Sequence, residues 1–270
     1  MRRAFRLAYD GRPFYGFQRQ PAVPTVEDAL FDALRALDVL DAGDERPPGY
    51  AAAGRTDRGV SARAQTVALD CPDWLTPRAL NAELHDAVWA WAHAAVPADF
   101  HATHHARYRE YVYHLHAPDA DVERARAAAR ALSGAHDFHN LTSDATGTER
   151  DLSLAVAPDG DFLALRARAG GFPRGLVRRL AALVHAVATG ATPLSKVERV
   201  LGADELDGPE GVPEAAPEPL ALVDVGYGDA SFETDERAAA DTRAFFADER
   251  ARHRALARVA DTVAADLSER

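Results

Sequence analysis

Cysteine and lysine are almost absent from this 270-residue chain. Cys71 is the only cysteine, so the chain can form neither an internal disulfide nor a cysteine-rich metal site. Lysine occurs once, at Lys196, and arginine supplies the other basic side chains. No apolar run approaches the ~20 residues that a membrane-spanning helix needs. No apolar segment follows Arg2 and Arg3, so no signal peptide is predicted and we expect a cytoplasmic protein.

The charge balance is acidic, with 31 basic against 42 acidic residues and a net charge of −11. Such a charge normally argues against a nucleic-acid partner, because phosphates are repelled. An acidic chain that uses arginine in place of lysine suggests, as a hypothesis, adaptation to high internal salt, which screens that repulsion beyond a few ångströms. Salt also weakens phosphate attraction, so an RNA would have to be held by shape, arginine forks and stacking.

Hydrophobic periodicity predicts strands and helices that alternate in two blocks, which favours an α/β (α+β) fold. Strands are predicted at 5–9, 51–53, 66–70, 88–95, 109–115, 152–156, 162–167 and 220–225. Helices are predicted from 26, from 77, at 122–132, at 174–189 and from 195. The blocks divide near residues 117–121, so we expect an N-terminal half at 1–118 and a C-terminal half at 119–270. The polar tail after Asp235 fits either a peripheral helix or a partly disordered segment.

The most informative segment is AGRTDRGVSA at residues 53–62, which holds one carboxylate, Asp57, between two glycines and two arginines. Neighbouring guanidinium groups favour the ionised carboxylate, and a loop leaves it exposed enough to attack. The plainer alternative is a turn of the Asp-Gly type with solvated arginines. The pattern alone leaves both interpretations open. Neither the P-loop nor the dinucleotide-binding spacing is present.

Residues 53–65 resemble AGRTDxGVxAxxQ, the signature around the catalytic aspartate of the TruA family of tRNA pseudouridine synthases. Further blocks follow in the family's order: residues 9–20 resemble YDGxxYxGWQxQ, 25–27 TVQ, 80–85 LNxxLP, 100–113 FHAR with a later RYxY, 134–138 GxHDF and 172–178 FxxxMVR. The chain departs from these patterns at Phe17 in place of Trp, His85 in place of Pro and Leu176 in place of Met.

The resemblance implies the pseudouridine synthase fold, with two similar α/β halves whose mixed or antiparallel sheets meet at a central catalytic cleft. It also implies isomerisation of uridine to pseudouridine in the tRNA anticodon stem-loop, at positions 38, 39 and/or 40. That reaction breaks the N1–C1′ bond, turns the base and rejoins it through C5. Because it involves neither redox change nor hydrolysis, we expect no cofactor and no metal. The implied partners are tRNA and a second copy of the chain in a homodimer.

The same resemblance assigns roles to four side chains. Asp57 would be the catalytic nucleophile, although action as a base at the sugar stays open. Arg178 would pair with Asp57 and keep it charged. Tyr111 would stack on the target uracil, and Arg55 would contact the RNA or occupy the space of the flipped base. Without the resemblance, Tyr111 fits a core strand position and Arg178 a solvated helix face.

Four arginines near Arg178, at positions 166, 168, 174 and 179, form with it a local basic island in this acidic chain. Together with one arginine of the loop, they form a predicted tRNA-backbone set: Arg58, Arg166, Arg168, Arg174 and Arg179. The alternative is a set of charge-balancing surface residues. The histidines at 101–116 match no standard metal-site spacing, so no metal is predicted there.

Two functions from other classes stay open at this point. One is a non-catalytic RNA chaperone on the same scaffold, against which the intact GRTD block argues. The other is an unrelated hydrolase that uses Asp57 with a histidine such as His136. No second carboxylate or base at motif spacing supports that hydrolase.

Overall fold

The computed structural model describes residues 1–206, 208–228 and 230–265, and within them the chain forms ten strands and six α-helices. The strands are β1 (Arg2–Tyr9), β2 (Ala51–Ala52), β3 (Ser61–Asp70), β4 (Val88–Ala95), β5 (Ala106–His116), β6 (Gly134–Asp137), β7 (Glu149–Asp159), β8 (Phe162–Ala169), β9 (Leu220–Tyr227) and β10 (Glu233–Thr234). The helices are α1 (Val26–Ala36), α2 (Pro77–Asn81), α3 (Val122–Leu132), α4 (Leu176–Ala188), α5 (Ser195–Val200) and α6 (Glu236–Ala265). Short 3-10 turns occur at His139–Leu141 and Gly208–Glu210.

Side-chain caps fix where three of the helices begin. Thr25 caps α1 by accepting a hydrogen bond from the Asp28 amide, and Thr76 caps α2, whose first residue is a proline. Asp121 caps α3 by accepting from two amides of its first turn. Each cap satisfies backbone donors that the helix itself leaves unpaired. These helices therefore begin where the sequence predicts.

A single mixed sheet joins the two halves of the described chain, in the strand order β10-β4-β1-β3-β9-β5-β8-β7-β6, with β2 paired to β3. The β3–β9 pair is parallel, with Ser61 opposite Ala221, and the other pairs are antiparallel. The predicted α/β class with mixed sheets is confirmed. The two expected sheets meet edge to edge, because β9 lies between β3 and β5.

Two hydrophobic cores lie along this sheet. The first packs α1 and α2 against β1, β3 and β4, and the second packs α3, α4 and α5 against β5, β7 and β8. Strand β5 precedes the expected boundary at residue 118, yet its Tyr113 and Leu115 side chains belong to the second core. The division into 1–118 and 119–270 stays a prediction.

The tail after Asp235 forms the long helix α6. The buried side chains of its first turns are those of Ala238, Ala239 and Thr242. Further along, the Phe245 ring lies 5.8 Å from the Trp89 ring of β4. Of the two alternatives for the tail, the structure has the helix up to Ala265, while residues 266–270 lie outside the described part. Of the helices described, none combines the length and the apolar character needed to cross a membrane.

Candidate active site

The loop between β2 and β3 carries Asp57 across the junction of the two cores. Ala53, at its start, is buried in the first core, and Val60, at its end, is buried in the second. The Asp57 side chain between them is 43% exposed. The two anchors hold the ends of the loop and leave the carboxylate free to meet a ligand.

Hydrogen bonds from the protein interior hold the back of this loop. The Tyr9 and Thr56 hydroxyls lie 2.8 Å apart, with both residues buried. The Gln65 side-chain amide donates to the Gly54 carbonyl at 2.9 Å. Burial raises the pKa of Tyr9 well above its usual range, so this phenol stays neutral and keeps its hydrogen bond. A fixed backbone on both sides of Asp57 limits where its carboxylate can point.

Asp57 lies in a wide cleft of about 1210 Å³ that residues from both halves of the sheet line. Small-molecule pockets are typically ~300–1,000 Å³, so this opening suits part of a macromolecule. The lining includes Phe17, Arg55, Asp57, Tyr111, Phe172 and Arg178. The structure thus brings together the four residues that the resemblance assigned to the site.

Arg178, in the first turns of α4, is shared between two carboxylates. Its Nη1 lies 3.6 Å from Asp57 Oδ2 and 2.6 Å from Glu214 Oε2. Its Nε donates to the Ala215 carbonyl at 2.7 Å. The side chain is only 16% exposed. The contact with Asp57 is therefore an ion pair longer than a hydrogen bond, and the contact with Glu214 is the tighter one.

Tyr111, on β5, packs against both cores at the floor of the cleft. Its ring meets Phe172 edge to face, with centroids 5.2 Å apart and planes at 88°. Burial raises the pKa of Tyr111 to about 12; the Asp57 charge acts in the same direction and Arg109 opposes it. The phenol is therefore neutral at ordinary pH, and its ring packs against Phe172.

The arginines near the cleft differ in how freely they can reach a ligand. Arg55 and Arg174 are exposed in the lining, and neither side chain forms an ion pair with a described residue. Arg58 is exposed too, but its guanidinium lies over the Tyr15 ring, 4.2 Å from the centroid, and it does not line the cleft. Arg55 and Arg174 are thus available to a phosphate, as is Arg46, which is also exposed in the lining and forms no ion pair with a described residue.

Arg166 and Arg168 point away from the cleft. Tyr111 lies opposite Ala167 in the β5–β8 pair, and successive strand residues point to opposite faces. Arg166 and Arg168, on either side of Ala167, therefore share the opposite face. There Arg166 binds Glu110. The predicted arginine set is thus divided between two faces of the sheet.

Arg179 is held by backbone and carboxylate rather than presented to the cleft. Its Nη1 donates to the Val212 carbonyl at 2.6 Å, and its Nη2 lies 3.2 Å from Glu214 Oε1. Its side chain is half-buried and does not line the cleft. The role of this residue in the structure is to fix the chain that follows α5.

Glu214 and the pair Tyr9–Thr56 were missed by reasoning from the sequence. Glu214 lies in a proline-rich connection with no helical or strand period, so no spacing indicated where its carboxylate points. Tyr9 and Thr56 belong to motifs at 9–20 and 53–65, but contact between motifs 47 residues apart cannot be predicted from either one.

The histidines do not contribute to this cleft as a metal site. Within the described residues, no group of three histidine, cysteine, aspartate or glutamate side chains is arranged to hold a metal ion. The His101 and His104 rings pack 4.2 Å apart. His136 lies on β6, where its ring contacts the Ser133 carbonyl, and it does not line the cleft of Asp57. The structure therefore does not bring Asp57 and His136 together.

Several known proteins are similar to this chain in sequence. Residues 128–228 match the family model described as tRNA pseudouridine synthase. The tRNA pseudouridine synthase A of Haloarcula marismortui is 55% identical over 97% of this chain and 98% of its own length. That of Natronomonas pharaonis is 58% identical over 96% and 97%. Among solved structures, the archaeal box H/ACA sRNP Nop10-Cbf5 complex aligns at 17% identity over 66% of this chain and 45% of that chain, with a TM-score of 0.34, too low to carry an argument.

Proposed function

The chain belongs to the tRNA pseudouridine synthase A family, and from that premise we propose that it isomerises uridine to pseudouridine in the tRNA anticodon stem-loop, at positions 38, 39 and/or 40. The observation that carries the proposal is the position of Asp57. Its carboxylate is exposed in a cleft of about 1210 Å³, with a half-buried aromatic ring and an arginine beside it. The protein acts in the cytoplasm, where tRNA is found.

Asp57 starts the reaction at the junction of sugar and base. As a nucleophile Asp57 attacks C1′ and the N1–C1′ bond breaks; as a base it removes a proton from the sugar and the same bond breaks. The detached uracil then turns and rejoins C1′ through C5. On the nucleophilic route this breaks the bond between Asp57 and C1′, and on the basic route the proton returns to the sugar. On both routes C5 loses its proton and N1 gains one. Arg178 supports both routes, because its guanidinium places a positive charge 3.6 Å from the carboxylate.

Tyr111 provides the surface on which the uracil stacks. The target base must leave its stem-loop stack, at a cost of a few kcal/mol. Stacking on an aromatic ring returns about 1–3 kcal/mol. Phe172 packs against the Tyr111 ring at 88°, so the ring is already held in place when the base arrives. Arg55 occupies the space that the flipped base leaves.

Contacts with the tRNA backbone begin with Arg174. Its side chain is exposed in the cleft and forms no ion pair with a described residue. Arg58 lies beside the cleft and extends this contact along the stem. Arg166 and Arg168 contact the tRNA only if it reaches the other face of the sheet, and Arg179 supports the site from within. The enzyme works as a homodimer with the tRNA held across both subunits and uses neither cofactor nor metal.

The test is an assay in molar KCl with tRNA transcripts tritiated at uridine C5. We expect tritium release by the wild-type protein, and none by Asp57→Ala although that variant still binds tRNA. Transcripts with single uridines at 38, 39 or 40 identify the target positions. Tight binding without release from any tRNA at any salt concentration would support a chaperone instead.

A further inference from the structure

Residues 212–219, here called the connecting segment, contact both sides of the cleft. The Ala215 amide donates to the Arg178 carbonyl at 3.3 Å on the α4 side. On the other side, Pro217 packs against the loop of Asp57, because a Cβ at Gly59 would lie 3.2 Å from its Cγ. The connecting segment therefore sets the position of α4 relative to the Asp57 loop.

Glu214, within this segment, holds the guanidinium groups of two neighbouring arginines. Its Oε2 is 2.6 Å from Arg178 Nη1 and its Oε1 is 3.2 Å from Arg179 Nη2. Charge-assisted contacts of about 2.7 Å are the strong ones, and the distance from Arg178 to Asp57 is 1.0 Å longer than that to Glu214 (3.6 minus 2.6). The location of the Arg178 guanidinium is thus fixed by Glu214 and not by Asp57.

The backbone of α4 leaves room for this carboxylate. Gly175 caps α4 with a φ of +72°, and a Cβ built there would lie 2.5 Å from Glu214 Oε1. A side chain at position 175 would displace the carboxylate and would also be strained in the left-handed region. The glycine and the glutamate therefore form one arrangement, which depends on position 175 having no side chain.

We infer that Glu214 is a positioning residue for Arg178 in the pseudouridine synthase reaction, an inference that rests on the function proposed above. Glu214 holds the Arg178 guanidinium 3.6 Å from Asp57, near enough to offset the charge of the carboxylate. At that distance Arg178 does not form a bidentate ion pair, which would occupy both carboxylate oxygens. Asp57 thus has a counter-charge beside it and keeps an oxygen free for the sugar. Without Glu214, the guanidinium moves onto Asp57 or away from it, and either movement slows the chemistry.

The test compares Glu214→Ala and Glu214→Gln with the wild type in single-turnover tritium release at saturating enzyme. We expect Glu214→Ala to slow the rate about 10- to 100-fold, the loss typical of a catalytic group misplaced by ~1 Å, with the tRNA dissociation constant within twofold. Glu214→Gln keeps the shape and one acceptor oxygen and recovers part of the rate. Glu205→Ala, which removes an exposed carboxylate from the same connection between α5 and β9, is the control.

A double variant separates positioning from a general structural role. Groups that act through one another are not additive, so Glu214→Ala should cost less than twofold when Arg178→Lys is already present. An undiminished loss in that background, or a Glu214→Ala rate within twofold of the wild type, overturns the inference. If Glu214→Ala does not fold, the isosteric Glu214→Gln carries the test. A wild-type protein that releases no tritium refutes the proposed function instead, so the two failures are distinguishable.

Discussion

Asp57 and Arg178 come from different halves of the sheet, and yet their charged groups lie 3.6 Å apart across the cleft. Asp57 is carried by the β2–β3 loop and Arg178 by the first turns of α4, more than a hundred residues later. The pair depends on the packing of both cores and on the segment that Glu214 belongs to. The Asp57 carboxylate and its counter-charge therefore come together only when both cores are packed against the sheet.

Replacing Arg178 by lysine tests the geometry of this pair. Lysine keeps the charge but cannot donate to the Ala215 carbonyl and contact two carboxylates with one planar group. We expect the single-turnover rate of Arg178→Lys to fall about 100-fold with tRNA affinity little changed. Arg199→Lys, on the exposed surface of α5, serves as the control. A full rate in Arg178→Lys would mean that charge alone suffices.

The division of the arginines between two faces predicts which of them bind tRNA. Arg174→Ala removes a contact in the cleft, and Arg166→Ala removes one from the other face. We expect Arg174→Ala to weaken tRNA binding and to lower the slope of log affinity against log salt by about 1. Arg166→Ala should leave both unchanged in filter-binding titrations. Equal losses in the two variants would show that the RNA reaches both faces.

The buried phenol of Tyr111 predicts a loss of stability at high pH. Its pKa is raised by burial from 10 to about 12, so the folded state holds a proton that the unfolded state releases. This contribution is complete below pH 10 and is lost as the pH rises from 10 to 12. One pKa unit is worth about 1.4 kcal/mol, so between pH 9 and pH 11 Tyr111→Phe should reduce the decline in unfolding free energy by about 1.4 kcal/mol. Denaturant titrations at pH 9 and 11 measure it, with exposed Tyr15→Phe as control; an equal decline in both variants contradicts it.

Salt should stabilise this chain. At a net charge of −11, repulsion between carboxylates opposes the folded state, and its range shrinks to ~3 Å at 1 M salt. We expect the melting temperature to rise steadily from dilute buffer to molar KCl, as fits relatives from halophilic archaea. Salt also screens the surface ion pairs, and this effect lowers the melting temperature. A melting temperature that falls with KCl would mean that those pairs outweigh the repulsion.

Much of this architecture was predictable from local pattern. Helix α3 has the predicted limits because Asp121 caps its start and alanines share its buried side. Strand β4 also has the predicted limits, although its alternation consists largely of alanines. The short strands β6 and β10 were not predicted, because four and two residues are too few to show a period. Gly134 even begins β6 with a φ of +106°, which resembles a turn.

The site was predictable only where a motif carried it. Arg166 and Arg168 lie near Arg178 in the sequence. Strand alternation places them on the other face of the sheet, whereas helix α4 places Arg178 in the cleft. Glu214 had no motif and no period, and its position follows from three-dimensional contacts with α4. Which face a strand buries depends on its neighbours in the sheet, and this information is not local.

The insertion of β9 between β3 and β5 has a consequence for the order in which the chain matures on the ribosome. Leu220–Tyr227 emerges only after more than four-fifths of the chain has been synthesised. Until then, the edge of β5 that later pairs with β9 is open, and Ser61 and Ala62 of β3 lack their partners, while β2 pairs with the other end of β3. The nascent protein therefore carries the Asp57 loop on an incomplete sheet. A chain that ends before β9 exposes unpaired backbone groups of β5 and β3, with which another chain can pair.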